Sequence, residues 1–398
     1  MVFTYLRKIK TKSENPNYYF AIYSYLCLHN RHKSLRMYLN RIILSNFKNL
    51  AQAEVRFSPK LNCITGENGA GKTNLLEAIH YLSMTKSFLP LQDRYICRYG
   101  ESECALHGEY TKGGVPEKVA ISVRPDGDKV LRRNDKMMPR LSDHIGFLPI
   151  VAVSPTDTSL IQDSGEERRR LMNLILSQTD PAYLRAIKLY NRTLQQRNKM
   201  LKEDRLDEGL LDAFTQMLVQ YGEPVARRRA ELAESLNRWT ADYYHQLSGG
   251  KETVSIAYES DALRGSLADV FRETLQRDRV LRYTSAGVQR DDFVFSLNGH
   301  PLRKSGSQGQ QKTFLTALKL AQFAMMREQY GFSPILLLDD VFDKLDMSRV
   351  EFLVELVSRE DFGQIFITDS NKVRLEKVVN AVTQESRFLQ VSNGEVIG

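Results

Sequence analysis

The fold of this 398-residue chain is decided by the stretch LNCITGENGAGKT, which runs from Leu61 to Thr73. Its first five residues, Leu61 to Thr65, predict a short strand, and the residues from Asn74 to Met84 predict a helix. Between them, Gly66 to Thr73 match the pattern GxxxxGK[ST]. A glycine-rich loop in this context lets backbone N–H groups surround phosphate oxygens at the positive end of a helix. The stretch therefore predicts an α/β fold with a phosphate loop.

This loop also supplies two side chains with separate chemical tasks. Lys72 can reach the β- and γ-phosphate oxygens, which gives it a binding and a catalytic role, and the Thr73 hydroxyl can bind Mg²⁺. ATP and Mg²⁺ are therefore the predicted ligand and cofactor. The predicted nucleotide-binding residues of the loop are Gly66, Glu67, Asn68, Gly69, Ala70, Gly71, Lys72 and Thr73.

A second part of the site is predicted far along the chain, in the sequence ILLLDD from Ile335 to Asp340. Four consecutive apolar residues are typical of a strand that is buried on both faces. Asp339 is predicted to hold Mg²⁺, and Asp340 to polarise the attacking water. Taken alone, these residues also fit a core strand followed by a solvated turn. The phosphate loop makes the catalytic interpretation the better one.

Two segments compete for a third part, the serine- and glycine-containing loop that caps the ATP of a partner subunit in ATP-binding-cassette proteins. LSGGK, at 247–251, is closer to the transporter signature LSGGQ, but a strand is predicted to follow it. SQGQQK, at 307–312, opens a long predicted helix before the Asp339 strand, so its N–H groups can meet a γ-phosphate. The second segment is therefore preferred. Its predicted capping residues are Ser307, Gly309 and Gln310, and Ser307 also counts as catalytic.

The chain between these motifs changes from strands to helices. Partial alternation predicts antiparallel strands between Leu39 and Phe57 and further strands between Ala105 and Val130. From Glu166 to Gln246, apolar residues recur at steps of three and four, with an interruption at Asp204 to Gly209, which predicts two helices packed as an antiparallel hairpin. Pro224 is expected to kink the second helix.

Length and pattern together predict three regions, because a single core stops growing at roughly 250 to 300 residues. Residues 1–36 form an extension that is either disordered or the result of a start codon assigned too far upstream. Residues 37–165 and 250–398 form a globular head. Residues 166–249 form a helical arm.

Composition narrows the class of protein. An apolar fraction of 42% and a charged fraction of 26% are typical of a soluble α/β protein, and no apolar run reaches the roughly 18 residues of a membrane span. The four cysteines lack CxxC spacing, which argues against disulfide or zinc frameworks and fits a reducing cytoplasm. Residues 1–36 hold seven basic residues and one acidic residue, so they account for six of the +8 net charge. Global charge therefore gives little support for DNA binding.

With these motifs in place, the sequence from Met37 onward resembles the RecF family, DNA-repair relatives of the SMC-type cassette ATPases. Besides the phosphate loop, the resemblance is carried by LSNFKN at 44–49, SPTD at 154–157, ERRR at 167–170, GVQRDDF at 287–293 and SQGQQK at 307–312. Lys48, Thr156 and the pair Val288-Gln289 stand where the family usually has arginine, glutamate and Pro-His. The resemblance implies that Lys48 also contacts the nucleotide.

The resemblance implies an ABC-type P-loop ATPase head with an inserted helical-hairpin arm, a homodimer that forms on ATP, and weak ATPase activity. It also implies a cytoplasmic role in recombinational repair, the SOS response and replication restart, in which the protein acts on single- and double-stranded DNA at gaps or junctions. RecR is the implied partner, with RecO and RecA in the same pathway. The cassette superfamily usually has glutamate as its second carboxylate and a switch histidine after the next strand. Asp340 and Ile367-Thr368-Asp369 occupy these places, which favours a slow, switch-like ATPase.

Three basic clusters are candidates for phosphate contacts with DNA: Arg132-Arg133, Arg168 to Arg170 and Arg227 to Arg229. Each cluster also fits a solvated protein face. Two other functions stay open, an ABC-transporter subunit and a DNA clamp that does not hydrolyse ATP. The long helical interval between Thr73 and Ser307 argues against the transporter, and phosphate release with and without DNA would identify the clamp.

Overall fold

The computed structural model describes residues 36–89, 91–342, 347–383 and 385–398. All but the last residue of the predicted extension lies outside these ranges, as does Cys27. The strands are β1 Met37–Phe47, β2 Leu50–Arg56, β3 Leu61–Thr65, β4 Cys104–Lys112, β5 Val115–Val123, β6 Lys129–Arg133, β7 Lys136–Met137, β8 Ile150–Val153, β9 Val254–Glu259, β10 Asp292–Leu297, β11 His300–Pro301, β12 Ile335–Leu338, β13 Ile365–Asp369, β14 Ser386–Ser392 and β15 Glu395–Ile397.

The helices alternate with these strands along much of the chain. They are α1 Lys72–Met84, α2 Ser159–Gln162, α3 Gly165–Thr179, α4 Pro181–Met200, α5 Glu208–Ser248, α6 Leu267–Leu281, α7 Leu302–Ser305, α8 Gln308–Tyr330, α9 Met347–Ser358 and α10 Lys372–Val382. None of the described helices combines the length and the apolar character needed to cross a bilayer.

A six-stranded sheet positions the site, in the order β15-β14-β3-β13-β12-β8. Every pair in it is parallel except β14 with β15. Strand β3 leads into the phosphate loop and β12 leads into Asp339, and only β13 lies between them. Because the carboxyl ends of parallel strands meet at one edge of a sheet, these two distant segments become neighbours.

Both faces of this sheet are buried, which explains the continuous apolar runs of β12 and β13. Leu336 and Leu338 face one core with helices α8 and α9, whereas Leu337 faces a second core with helix α1. The alternation follows from the two-residue period of a strand. Helix α1 is therefore enclosed between the parallel sheet and the antiparallel sheet, whose strand order is β2-β1-β4-β5-β6-β7.

The predicted helical hairpin is formed by α4 and α5. Tyr183, near the start of α4, accepts from Arg229 in the middle of α5, while Arg197 near the end of α4 donates to Thr215 near the start of α5. These pairs require an antiparallel arrangement. A third helix, α3, precedes the hairpin and was not separated from it by the sequence pattern. It ends before Asp180, whose carboxylate caps α4.

Two expectations about the arm stay predictions. Helix α5 runs without a break from Glu208 to Ser248 with Pro224 inside it, and a kink there is not established. The division into a head and an arm at residues 165–166 and 249–250 is also not established, since the buried cluster around α8 includes residues of α3, α4 and α5.

Candidate nucleotide site

The phosphate loop is built by close backbone packing at its two ends. A Cβ added to Gly66 would lie 2.2 Å from the carbonyl oxygen of Val391, and one added to Gly71 would lie 2.9 Å from the Asn49 side chain. Gly71 also has a positive φ of 120°, a conformation that favours glycine, so both positions suit glycine best. Helix α1 starts directly after Gly71 without a side-chain cap. Its first N–H groups lack intrahelical partners, which makes them donors for an anion.

A turn between β1 and β2 holds the loop in place. The Asn49 side chain donates to the carbonyl of Ala70 at 3.0 Å and accepts from Asn74 at 2.7 Å. Asn49 thereby ties the middle of the loop to the first turn of α1. Asn49 belongs to the motif LSNFKN, but this role could not be predicted, since a contact across 21 positions leaves no periodic signal in the sequence.

Lys72 and Thr73, at the start of helix α1, both make side-chain contacts within the predicted site. The Lys72 ammonium folds over the loop and donates to the carbonyls of Gly66 and Glu67 at 2.8 and 2.9 Å. The Thr73 hydroxyl lies 3.0 and 2.9 Å from the two carboxylate oxygens of Asp339. The fold thus brings the acidic motif at Asp339 into direct contact with the phosphate loop.

The environment of Asp339 suits a divalent cation. Its side chain is buried, and burial raises the pKa of the carboxyl, an effect opposed by hydrogen bonds from Thr368 and Thr73. A carboxylate beside two hydroxyl oxygens is an all-oxygen donor set, which Mg²⁺ prefers. Thr73 and Asp339 therefore fit a magnesium site.

Asp340 and the end of β13 form the rest of the acidic edge. Asp340 has a left-handed backbone (φ 48°), and its N–H donates to the Thr368 hydroxyl at 2.9 Å. Asp340 also lines a small cavity of about 30 Å³ together with Asp339 and Ser154. Asp369 is fully buried and pairs with Arg374 at 2.9 Å. It therefore cannot take the place of a mobile switch histidine.

Lys48 is near the loop but is engaged elsewhere. Its ammonium pairs with Glu77, a fully buried acid of α1 that also accepts from Ser87. No described hydrogen bond joins Lys48 to the phosphate loop. A contact with nucleotide stays a prediction that would require Lys48 to leave Glu77 or to share it.

Ser307 lies at the exposed start of α8. Its hydroxyl accepts from the Gln310 N–H at 3.3 Å, and the Gln310 side chain accepts from the Ser307 N–H at 2.6 Å. Gln310 also donates to Glu252 at 2.5 Å. None of these described bonds reaches the phosphate loop. Ser307, Gly309 and Gln310 are therefore not brought to the nucleotide site of their own chain by hydrogen bonding.

The LSGGK segment cannot take the role of Ser307. Leu247 and Ser248 end helix α5, and Gly249 closes it in a left-handed conformation. The backbone there presents carbonyl groups and the negative end of the helix, which repel phosphate. The preference for Ser307 over this segment therefore agrees with the geometry.

Most arginines of the three basic clusters are occupied within the protein. Arg168 pairs with Asp292 and Arg169 donates to the carbonyl of Asp291, while Arg229 is buried against Asp291 at 2.7 Å. Arg229 is thereby removed from the candidates for DNA contact, because a fully buried guanidinium cannot reach a duplex. The exposed members are Arg132, Arg170 and Arg227.

The pair Asp291-Asp292 is structural in the same way. Asp291 accepts from Arg229 and Tyr258, and Asp292 receives two hydrogen bonds from Arg168. Within the described ranges, no group of three or more His, Cys, Asp or Glu side chains forms a metal cluster. The carboxylates of Asp291 and Asp292 are therefore engaged by arginine and tyrosine side chains of the same chain.

Comparison with known proteins places this geometry in a family. The model of the RecF/RecN/SMC N terminal domain matches residues 38–392. A protein of Parabacteroides distasonis called DNA replication and repair protein RecF is 44% identical over 360 residues, which cover 90% of this chain and 99% of the relative. A protein of the same name from Phocaeicola vulgatus is 45% identical over 364 residues, which cover 90% and 98%.

Solved structures are also similar to this chain. The recombination mediator protein RecF of the RecFOR pathway, solved with ATP, superposes with a TM-score of 0.82 at 28% identity and covers 91% of this chain and 97% of its own. The Smc head domain of Pyrococcus furiosus superposes with a TM-score of 0.55 at 16% identity over 91% and 96% of the two chains, a likeness of fold alone. With the ABC-type ATPase head that its motifs predict, the chain belongs to the RecF family of DNA replication and repair proteins.

Proposed function

We propose that this chain is a cytoplasmic ATPase of recombinational repair and replication restart that dimerises on ATP and clamps DNA at gaps or junctions, where it helps to load recombinase. The observation that carries the proposal is the division of the nucleotide site. The phosphate loop meets Asp339 inside one chain, whereas Ser307 lies exposed with no described bond to that loop. Two subunits that face each other would complete both sites.

Each residue has a defined task in this arrangement. Lys72 exchanges the carbonyls of Gly66 and Glu67 for phosphate oxygens, and the open N–H groups of α1 bind the same phosphates. Thr73 and Asp339 would hold Mg²⁺, which would supply positive charge beside the phosphate oxygens. Asp340 orients the attacking water and accepts its proton. The N–H groups at the start of the partner's α8 bind the γ-phosphate.

Slow hydrolysis is part of the proposal. The Thr368 hydroxyl already bridges the Asp339 carboxylate and the Asp340 N–H, and Asp369 is locked to Arg374. The described edge therefore offers one short carboxylate, Asp340, to activate water and no second proton acceptor in the switch position. Such a site suits a conformational switch, in which the lifetime of the dimer matters more than turnover.

The DNA and protein partners follow from family membership. Relatives are DNA replication and repair proteins, and the RecF solved with ATP is a recombination mediator in the RecFOR pathway. We infer that this chain acts with RecR, and with RecO and RecA in the same pathway. Arg132, Arg170 and Arg227 are the exposed arginines of these clusters and therefore the candidates for contact with a DNA backbone, although Arg170 also pairs with Glu167.

The test is binding to gapped, duplex and single-stranded DNA with ATP, with ADP and without nucleotide, across a salt series. We expect ATP to strengthen binding to gapped DNA at least about tenfold, with affinity falling as salt rises. Equal affinity in all three nucleotide conditions would contradict the ATP-dependent clamp.

A second candidate, a clamp that does not hydrolyse ATP, is favoured by one observation, the locked Asp369. Phosphate release decides between the two. DNA-stimulated release supports the proposed ATPase, and no release above that of the Lys72→Ala variant would support the passive clamp.

A further inference from the structure

A buried lysine lies in the middle of the helix that begins at Ser307. Lys319 is 5% exposed, and its ammonium contacts the Asp157 carboxylate at 2.7 Å and the Ala152 carbonyl at 2.9 Å. Burying an ammonium is costly unless it is paired and hydrogen-bonded. Both partners of Lys319 belong to one segment, the end of β8 and the turn that follows it. The charge is therefore used to attach α8 to that segment.

The same segment is attached to the catalytic acids. Strand β8 pairs with β12, and the Asp339 N–H donates to the Val153 carbonyl at 2.9 Å. Asp157 also accepts from the Ser154 N–H at 2.7 Å, which fixes the turn at 154–157. This turn and the two acids, Asp339 and Asp340, line one small cavity. Asp339 and Asp157 are thus joined through the end of β8 and this turn.

Helix α8 joins Lys319 to Ser307. Lys319 is twelve residues after Ser307 on one continuous helix, about 18 Å along its axis. A second contact supports the attachment near the exposed end, since Gln162, just beyond the 154–157 turn, donates to Gln311 at 2.7 Å. A helix held at these two points moves as a rigid body with the turn.

We propose that the Lys319–Asp157 ion pair is the link by which nucleotide in one subunit's phosphate loop positions that subunit's Ser307 for the nucleotide of its partner. Lys319 is then a positioning residue for dimerisation and hydrolysis. The inference rests on the proposed ATP-dependent dimer. The inference adds a defined coupling, within one subunit, between its phosphate loop and its Ser307 turn.

The test uses full-length Lys319→Met and Asp157→Asn, their double variant, and Lys319→Arg. Methionine keeps the length and apolar stem of lysine without its charge, and asparagine keeps the acceptor for Ser154. A cavity of about 180 Å³ that adjoins Lys319 and Asp157 leaves room for arginine. Melting temperature and ATP affinity are measured with ATP-dependent sedimentation and steady-state hydrolysis.

We expect both single variants to bind ATP within about twofold of the wild type, while dimerisation weakens and kcat falls roughly tenfold or more. The double variant should be no worse than either single one, and Lys319→Arg should recover most of the kcat. A merely structural role predicts instead that ATP affinity, melting temperature and kcat fall together, without recovery in Lys319→Arg. That result would overturn the link.

The outcome also separates this inference from the proposed function. If the wild type does not dimerise on ATP, the shared-site mechanism fails. If the wild type dimerises and Lys319→Met does so equally well with normal kcat, only the link fails.

Discussion

The phosphate loop and the Ser307 turn both lie at the start of a helix, yet they differ in how that start is closed. Helix α1 follows Gly71 and has no side-chain cap, whereas α8 is closed by reciprocal hydrogen bonds between Ser307 and Gln310. The first helix start is enclosed beside Asp339, and the second is exposed. The capping box still leaves the N–H groups of Gln308 and Gly309 without intrahelical partners.

This difference indicates which half of the nucleotide site is complete within one subunit. A buried helix start without a cap would be costly unless an anion or water regularly satisfies its N–H groups. An exposed, capped helix start is stable in water without a partner subunit. Changes to the phosphate loop should therefore abolish nucleotide binding, whereas changes to the Ser307 turn should affect assembly and the hydrolysis that depends on it.

The largest expected effect is that of Lys72→Ala. Because the γ-phosphate loses its main side-chain partner, we expect ATP affinity to fall roughly 100-fold or more. Equilibrium titration with ATP measures the loss, and Lys86→Ala, an exposed lysine just beyond α1, serves as the matched control. Undiminished ATP affinity in Lys72→Ala would disprove the assignment of the phosphate loop.

The second prediction sets Ser307→Arg against Asp340→Asn. Ser307→Arg should leave ATP affinity nearly intact while preventing dimerisation and hydrolysis, because the bulky cation blocks the surface that caps the partner's nucleotide. Asp340→Asn should dimerise on ATP but remain trapped, because it cannot activate water. Sedimentation and phosphate release measure both.

Mixing Ser307→Arg with Lys72→Ala sharpens the comparison. One mixed dimer combines an intact phosphate loop from one subunit with an intact Ser307 from the other, so one competent site should reappear. ATP-dependent dimerisation of Ser307→Arg alone, to the full extent of the wild type, would refute a shared site.

A smaller effect is expected for stability. Burial raises the pKa of Asp339 above that of the unfolded chain, so its ionised form lowers the free energy of unfolding as pH rises through that pKa. Without Mg²⁺ at pH 8, Asp339→Asn should therefore raise the melting temperature by roughly 1–3 °C. The gain should shrink at pH 5, where more of the wild-type carboxyl is protonated. Calorimetry in EDTA tests this, and a lower melting temperature at pH 8 would contradict it.

The same comparison shows what the sequence could reveal. The strand, loop and helix around Gly66 to Thr73 were predictable because they are contiguous, and the buried strand before Asp339 was predictable from its apolar run. The clamp of Asn49 on Ala70 and the attachment of Lys319 to Asp157 were not, since they join residues that only the tertiary fold brings together. Arg229 was misjudged for a related reason, because a run of arginines does not show which member is paired inside.

The smallest effect concerns the extension at 1–36. The family model begins at residue 38, and the relatives align along 98 to 99% of their own length with 90% of this chain. We therefore expect deletion up to Met37 to change the melting temperature by about 1 °C or less and the ATPase rate by less than about twofold.

One described contact crosses the cut, because the Gly113 N–H donates to the Arg36 carbonyl at 2.9 Å. Deletion of residues 1–35 keeps this acceptor and also keeps the new terminal ammonium away from Met37, whose side chain is buried. The two deletions form a matched pair. A loss confined to the longer deletion assigns the effect to this edge of β1, although the loss should be small because Gly113 is exposed and water can replace the acceptor. A large loss of melting temperature or ATPase activity in both would mean that the extension packs against the head, and would contradict its predicted dispensability.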